Sequence, residues 1–133
     1  MKNLVETTID AGNFKTLIQF ILEADLIDII RSDGPFTIFA PTDEAFSKLP
    51  DGVLLKILED KERLTEILTY HVVPNKIMSE DVLKIKKTKT FNGKEVSFYT
   101  SNGVKIDQAT ITKSDIECSN GVIHVIDEVL IPH

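Results

Sequence analysis

The sequence is short of cysteine, of long apolar runs and of positive charge. Its single cysteine, Cys118, excludes a disulfide within the chain. No apolar run approaches the roughly 20 residues that a membrane-spanning helix needs. The chain has 15 lysines and arginines and 21 aspartates and glutamates, so its formal net charge is −6. Because contact with nucleic-acid phosphates relies on an excess of Lys and Arg, this balance argues against a nucleic-acid partner.

The common signatures of catalysis and metal binding are also missing. The chain has no P-loop, no Gly-x-Gly-x-x-Gly and no Gly-x-Ser-x-Gly elbow. Its three histidines lack the spacing of a zinc site. Cys118 and His124 form only a pair without a third orienting group, and the adjacent Asp127 and Glu128 would point to opposite faces of a strand. We therefore expect neither an enzyme nor a cofactor or metal.

The segment from Phe36 to Pro50, FTIFAPTDEAFSKLP, is the centre around which we expect the chain to fold. Residues 36–39 are aromatic or β-branched, which is the composition of a buried strand, and we call this segment the hub strand. Pro41 cannot donate to a sheet ladder, so the strand should end there. Thr42 is a predicted helix N-cap, and Asp43 is the first of two acidic residues in the first turn, where the helix dipole favours negative charge.

The hydrophobic pattern predicts helices before this segment and directly after it. Asn3 and Gly12 are the predicted N-cap and C-terminal stop of the first helix, with Ile9 among the inward residues. Asn13 is the predicted cap of the second helix, whose apolar stripe includes Leu22. Further helix starts are predicted at Asp25, Asp51, Asp60 and Ser79.

The last third of the chain is predicted to be β structure. Asn92-Gly93 between two β-rich runs predicts a hairpin with a type I′ turn. Residues 122–131 are nearly all apolar, which is typical of a central strand covered on both faces. The bottom-up class is therefore α+β. Further turns are predicted at Ser101-Asn102-Gly103 and Ser119-Asn120-Gly121.

Three segments resemble signature motifs of the fasciclin (FAS1, beta-Ig-H3) domain family. TIFAPTDEAF, at residues 37–46, resembles the first motif, NGVIHVIDEVLIP, at residues 120–132, resembles the second, and YHVVP, at residues 70–74, resembles the Tyr-His segment between them. Their order and separation suit a single domain over residues 1–133. Many members have Asn at the position of Asp43. The motif residues expected to have structural roles are Thr37, Phe39, Ala40, Pro41, Thr42, Asp43, Gly121, Val122, His124 and Asp127.

This resemblance implies a fold, a function and a location. The fold would be a wedge-like, mainly antiparallel β-sandwich covered by N-terminal helices, with the hub strand beside the last strand. The function would be that of a non-catalytic adhesion or interaction module at a cell surface or outside the cell, binding a protein, matrix or cell-envelope partner. The N-terminus is polar and does not read as a signal peptide, so a cytoplasmic location stays open. The lone cysteine and the absence of Asn-x-Ser/Thr favour a bacterial or archaeal member.

The resemblance also implies partner-binding residues. In animal adhesion members the Tyr-His segment is implicated in integrin contact, and it corresponds here to Tyr70 and His71. A second integrin-related motif corresponds to Asp115 and Ile116, although Ser114 stands where a basic or proline residue is expected. The competing interpretation is that these residues belong to the core.

The roles of the histidines and of one basic segment are left open by the residues alone. His71 is either a structural residue tied to the hub, through Thr42 or Asp43, or part of a Thr42/Asp43/His71 polar cluster in a small-ligand-binding or enzymatic domain. His124 alternates with apolar residues, so we expect it to be buried and hydrogen-bonded. A basic patch either protects an edge strand from self-association or docks an anionic surface polymer or partner. We expect a monomer or weak self-association through a sheet edge. The patch consists of Lys84, Lys86, Lys87, Lys89 and Lys94.

Overall fold

The computed structural model describes residues 2–82, 84–100, 104–107 and 109–130, without the side chains of residues 51 and 54. The α+β class is confirmed. The helices are α1 (Leu4–Ala11), α2 (Lys15–Glu23), α3 (Ile27–Arg31), α4 (Asp43–Ser47), α5 (Asp51–Glu59), α6 (Lys61–Thr69) and α7 (Ser79–Val82). The strands are β1 (Phe36–Pro41), β2 (Val72–Val73), β3 (Lys87–Lys89), β4 (Glu95–Tyr99), β5 (Lys105–Ile106), β6 (Ala109–Cys118) and β7 (Gly121–Ile126).

The strands form one mixed sheet in the order β2-β1-β7-β6-β5-β4-β3. At its centre, β1 and β7 run parallel, from Phe36 opposite Gly121 to Pro41 opposite Ile126. The other pairings among the described residues are antiparallel. Every residue of β1 and β7 is buried. The hub strand and the last strand therefore lie side by side, as predicted.

Side chains of β1 point alternately into two cores. Ile38 and Ala40 pack against the core formed with helices α1 to α6. Phe39 belongs to a second core, which includes Phe98 from β4 and Ile126 from β7. The rings of Phe39 and Phe98 lie 5.9 Å apart. Since β1 and β4 are at distant positions in the strand order, the sheet must fold back on itself to bring these rings together.

The loop over residues 90–94 connects β3 to β4 and also bonds to β2, the strand at the opposite end of the sheet order. The Phe91 amide donates to the Val72 carbonyl at 2.6 Å, and the Asn92 side chain donates to the Glu66 carbonyl at 3.1 Å. The predicted two-residue type I′ turn is wrong, because Lys89 pairs with Glu95 and five residues connect the strands. The loop bonds to β2 and α6, so these contacts decide its length.

Helix caps agree with the sequence where the cap is local. Asn3 and Glu6 form the capping box of α1, and Asp60 accepts from two amides at the start of α6. The prediction for Asn13 is wrong, because its side chain makes no cap to α2. The inward orientation of Ile9 and Leu22 is also wrong, since both are more than half exposed.

The C-terminal part of the chain departs from its prediction in one respect. β7 ends at Ile126, five residues earlier than expected, so Asp127 and Glu128 follow the strand instead of lying within it. The predicted turn at Ser101-Asn102-Gly103, the last residues of the second motif (131 and 132) and the terminal histidine lie outside the described residues.

Candidate functional site

His71 lies at the junction between α6 and β2, and both of its ring nitrogens are hydrogen-bonded inside the protein. Nδ1 donates to the Ile67 carbonyl at 2.7 Å, and Nε2 accepts from the Leu130 amide at 2.9 Å. The carbonyl can only accept and the amide can only donate, so the ring is the neutral Nδ1–H tautomer. The side chain is only 2% exposed. Burial lowers the pKa of His71 to about 4, against the raising effects of the Ile67 hydrogen bond and Asp107.

His124 in β7 is held in the opposite tautomer. Its Nε2 donates to the Ile77 carbonyl at 2.6 Å, while its Nδ1 accepts from the Asp115 amide at 3.2 Å. The ring stacks on Phe39 with centroids 5.6 Å apart. Burial lowers the pKa of His124, although the Ile77 bond and the Asp115 carboxylate oppose the shift. The predicted burial and hydrogen bonding of His124 are both seen.

Tyr70 connects α6 to the far side of the second core. Its side chain is completely buried, and its hydroxyl donates to Asp107 Oδ2 at 2.6 Å. The other carboxylate oxygen of Asp107 accepts from the Ser97 amide at 2.9 Å. Burial, and then the neighbouring Asp107, raises the pKa of Tyr70. Because neither the Tyr70 nor the His71 side chain reaches the surface, their burial favours the competing interpretation that they belong to the core, and partner binding by them stays a prediction.

The second predicted partner segment lies on β6. Asp115 is exposed and adopts a left-handed backbone conformation, with φ of 59°, where the strand pairing shifts register. Its carboxylate accepts from the amide of Ser79 at 2.7 Å and also from the Ser79 hydroxyl, which lowers the pKa of Asp115. Ile116 is half-buried and packs against the helix-side core. Asp115 thus holds the start of α7, and partner binding by this pair stays a prediction.

The proposed Thr42/Asp43/His71 cluster is not formed. Thr42 caps α4 by accepting from the Ala45 amide at 3.2 Å. Asp43 instead accepts from the Thr16 amide at 2.7 Å, and this bond lowers the pKa of Asp43. Among the described residues, no hydrogen bond joins His71 to either of them; only its carbonyl reaches the hub, at the Phe39 amide. The three side chains serve separate structural contacts because each has its own nearby backbone partner.

Asp43 supplies the cap that was expected from Asn13. Its carboxylate binds the second amide of α2, while its own amide donates to the Asn13 carbonyl at 2.9 Å. This reciprocal pair connects the start of α4 to the start of α2. An acidic side chain at a helix N-terminus also interacts favourably with the helix dipole. The role of Asp43 is therefore structural, between helices distant in sequence.

Asn120 is the residue that the sequence analysis missed. Its side-chain oxygen accepts from the Leu4 amide at 3.0 Å, and its side-chain nitrogen donates to the carbonyls of Ile30 and Ser32 at 2.7 and 2.8 Å. Its own carbonyl accepts from the Phe36 amide at 3.0 Å. The Asn120 side chain thus joins α1 to the end of α3, while its backbone carbonyl binds the start of β1. The sequence places Asn120 in a turn and at the start of the second motif, but it gives no indication of what its side chain binds.

Gly121 is required by close packing of the two central strands. A Cβ atom at this position would lie 2.0 Å from the Phe36 carbonyl oxygen. Thr37 and Asp127 also fix the chain beside these strands. The Thr37 hydroxyl accepts from the Ile77 amide at 2.7 Å, and Asp127 accepts from the Thr110 amide at 2.8 Å. The described polar side chains of the two motifs therefore bind mainly backbone groups elsewhere in the same protein.

The five lysines of the predicted basic patch are all exposed. Lys87 and Lys89 lie on β3, the final strand of the sheet, and Lys87 pairs with Glu95 at 3.8 Å. Lys84 and Lys86 precede that strand, and Lys94 lies in the loop over residues 90–94. The patch is thus placed along an edge strand and its flanking loops. Both interpretations of it, edge protection and docking, fit this position.

Two further properties concern metals and membranes. In the part of the chain that the structure describes, no group of three or more His, Cys, Asp or Glu side chains is arranged to hold a metal ion. The described helices include none that combines the length and the apolar character needed to cross a bilayer.

Comparison with known proteins gives a consistent result. The family model described as Fasciclin domain matches residues 12–132. The chain is similar to an uncharacterized protein of Synechocystis sp., sll1735, with 39% identity over 131 residues that cover 98% of both proteins. It is also 35% identical over 138 residues to human periostin, covering 99% of this chain and 16% of periostin.

A solved structure shows the same fold. This is the FAS1 domain pair from the insect cell adhesion molecule Fasciclin I, which matches with a TM-score of 0.73 at 23% identity. The match covers 91% of this chain and 46% of that one. The expected FAS1 fold is therefore confirmed. Taken with the family match over residues 12–132, it shows that this chain belongs to the fasciclin domain family.

Proposed function

We propose that this protein is a non-catalytic adhesion or interaction module that binds a cell-envelope or matrix partner through its surface. The main observation behind the proposal is that neither motif histidine has a ring nitrogen available to a ligand. All four ring nitrogens of His71 and His124 are hydrogen-bonded to backbone groups of the protein itself. A general acid or base needs a nitrogen within reach of a substrate, and these two rings have none. The motif residues therefore support the scaffold, and binding falls to surface side chains.

The edges of the sheet support a monomer. At one end of the sheet, the Phe91 amide donates to the Val72 carbonyl on the outer side of β2. At the other end, β3 is three residues long and carries Lys87 and Lys89. Short, lysine-bearing edge strands resist pairing with a second copy. Strand-to-strand self-association is accordingly disfavoured at both ends, and the module would meet its partners as a single domain.

The proposed location is the cell surface or the extracellular space. The family relationship supports it, together with the likeness in fold to Fasciclin I, a protein described as an insect cell adhesion molecule. The partner would be a protein, a matrix component or a polymer of the envelope.

The proposal is tested by immobilising the folded domain on beads and offering fragments of the envelope of the source organism. The folded domain should retain fragments, and beads coated with heat-denatured protein should not. Equal retention by the two coatings, or no retention by either, would contradict the proposal. Turnover of an envelope component by the purified domain would contradict its non-catalytic part.

A further inference from the structure

The outer face of β3, β4 and β5 carries lysines and an exposed tyrosine. Along β4, Val96 and Phe98 are buried in the second core, whereas Glu95 and Tyr99 are exposed. Successive side chains of a strand point to opposite sides, so Glu95 and Tyr99 lie on the face turned away from the core. Tyr99 is 53% exposed, although it is a large aromatic residue.

Strand register adds lysines to this outer face. Residues paired across neighbouring strands share a face of the sheet. Lys89 is opposite Glu95, and Lys105 is opposite Tyr99. Lys87 lies on the same face, opposite Ser97. We call this surface the lysine–tyrosine face, and it comprises Lys87, Lys89, Tyr99 and Lys105.

The lysine–tyrosine face is locally cationic on a protein of net charge −6. On β3, β4 and β5 it carries three lysines and one glutamate, Glu95. The Lys87–Glu95 pair is 3.8 Å apart, with the two side chains 65% and 51% exposed, so water and salt weaken it. Strand geometry places Lys87 and Lys89 about 7 Å apart, and it places Lys105, on the other side of β4, about 12 Å from Lys87 and about 17 Å from Lys89.

We infer that the lysine–tyrosine face binds an extended acidic polysaccharide, as the envelope or matrix partner of the module proposed above. Ammonium groups spread over one side of a sheet can meet carboxylate or sulfate groups that recur along a polymer. The exposed ring of Tyr99, beside Lys105, can pack against the apolar face of a sugar ring, as aromatic side chains pack against apolar surfaces generally. The inference rests on the proposed function and names its ligand class.

Other polyanions and partners fit this face less well. Double-stranded DNA carries about one charge per 1.7 Å, so the acidic remainder of the protein would repel it strongly. A polyuronate carries one carboxylate per sugar ring, so its charges are sparser than those of DNA and it meets less repulsion. Protein interfaces favour arginine together with aromatic residues at a desolvated centre, whereas the cations here are lysines, which are strongly hydrated point charges.

The experiment measures binding of the domain to two polyuronates, alginate and polygalacturonate, with neutral dextran and single-stranded oligothymidylate as comparisons. Isothermal titration calorimetry at low and high salt gives the affinity and its salt dependence. Both acidic polysaccharides should bind, and neutral dextran should not. K87E/K89E should weaken binding about tenfold at low salt and flatten its salt dependence. Tyr99→Ala should weaken binding about fivefold, and Tyr99→Phe should change it less than about twofold.

The matched control is K15E/K56E, which makes the same change in charge on exposed positions of α2 and α5. It should leave the affinity within about twofold. Equal losses in the control and in K87E/K89E would overturn the inference, because they would report net charge alone. Binding of oligothymidylate as tight as that of alginate would also overturn the inference. Equal affinities of the two Tyr99 variants would overturn it as well. If neither polysaccharide binds while the coated beads still retain envelope fragments, this inference fails and the proposed function stands.

Discussion

Acidification should destabilise this domain mainly through His71. In the folded protein its ring stays neutral, because Nε2 accepts from the Leu130 amide and the side chain is only 2% exposed. Its pKa is therefore about 4, whereas the ordinary histidine value is 6.5. Between these two values the unfolded chain binds a proton that the folded chain does not. The free energy of unfolding must then rise with pH across this window and fall as pH decreases through it.

The difference between the two pKa values sets the size of the effect. Lowering the pH from about 7.5 to about 5 should reduce the free energy of unfolding by about 2 kcal/mol through His71 alone, and by about 3 kcal/mol near pH 4. His124, whose pKa is also lowered by burial, acts in the same direction. Asp43 and Asp115 also have lowered pKa values, so their contributions are lost only as pH falls below the ordinary aspartate range, under this window.

Urea denaturation at a series of pH values measures this effect. The comparison variant is His71→Gln, whose amide oxygen can accept from the Leu130 amide but does not titrate. It should be less stable than the natural sequence at neutral pH and should lose about 2 kcal/mol less on acidification to about pH 5. Equal pH dependence of the two proteins would refute the reasoning, because the proton uptake would then come from other groups.

Three further substitutions test the packing around the central strands by denaturant unfolding. Gly121→Ala should lower the free energy of unfolding by about 3 kcal/mol or more, because the new Cβ would overlap the Phe36 carbonyl oxygen. The control is Gly52→Ala in α5, where a Cβ meets open space, and this change should be neutral or stabilising by about 0.5 kcal/mol. Phe39→Ala should cost about 3–5 kcal/mol, and a loss below about 1 kcal/mol would contradict its place in the second core. Asn120→Ala should cost about 1–3 kcal/mol through the backbone groups left unpaired, and an unchanged midpoint would show that water replaces the side chain.

Sequence reasoning succeeded where the determining contacts are local or where burial covers a whole segment. Asn3 and Asp60 cap their own helices within three residues, so their patterns are visible in the sequence. The hub strand and β7 are buried on both faces, and their continuous apolar composition indicates this directly. Their parallel pairing was expected only as proximity, and it came from the family resemblance.

The failures share one physical cause, which is a partner distant in sequence. Asn13 is a good N-cap by type, but Asp43 reaches the α2 amides from 27 positions away. The hairpin carries the Asn-Gly signal of a tight turn, but Phe91 binds Val72 and enlarges the loop. Asn120 joins segments separated by 88 to 116 positions. Residue type predicts that such a group needs a partner, and only the fold identifies the partner.

The candidate binding surface shows the same limit. The basic patch was defined by lysines near one another in sequence, which places Lys84 and Lys94 with those of β3. Strand pairing instead brings Lys105 and Tyr99 onto the outer face of the sheet with Lys87 and Lys89. A sequence can show which residues are cationic, but the register decides which of them share a surface.

Under the proposed function, surface lysines are responsible for binding and the buried motif histidines are not. The most direct test compares retention of envelope fragments on beads coated with His71→Gln or with K86E/K87E/K89E, each in its folded state near neutral pH. The histidine variant should retain as many envelope fragments as the natural sequence. The lysine variant should retain far fewer, and its retention should depend less on salt. Loss of retention in the histidine variant, with full retention in the lysine variant, would contradict this proposal.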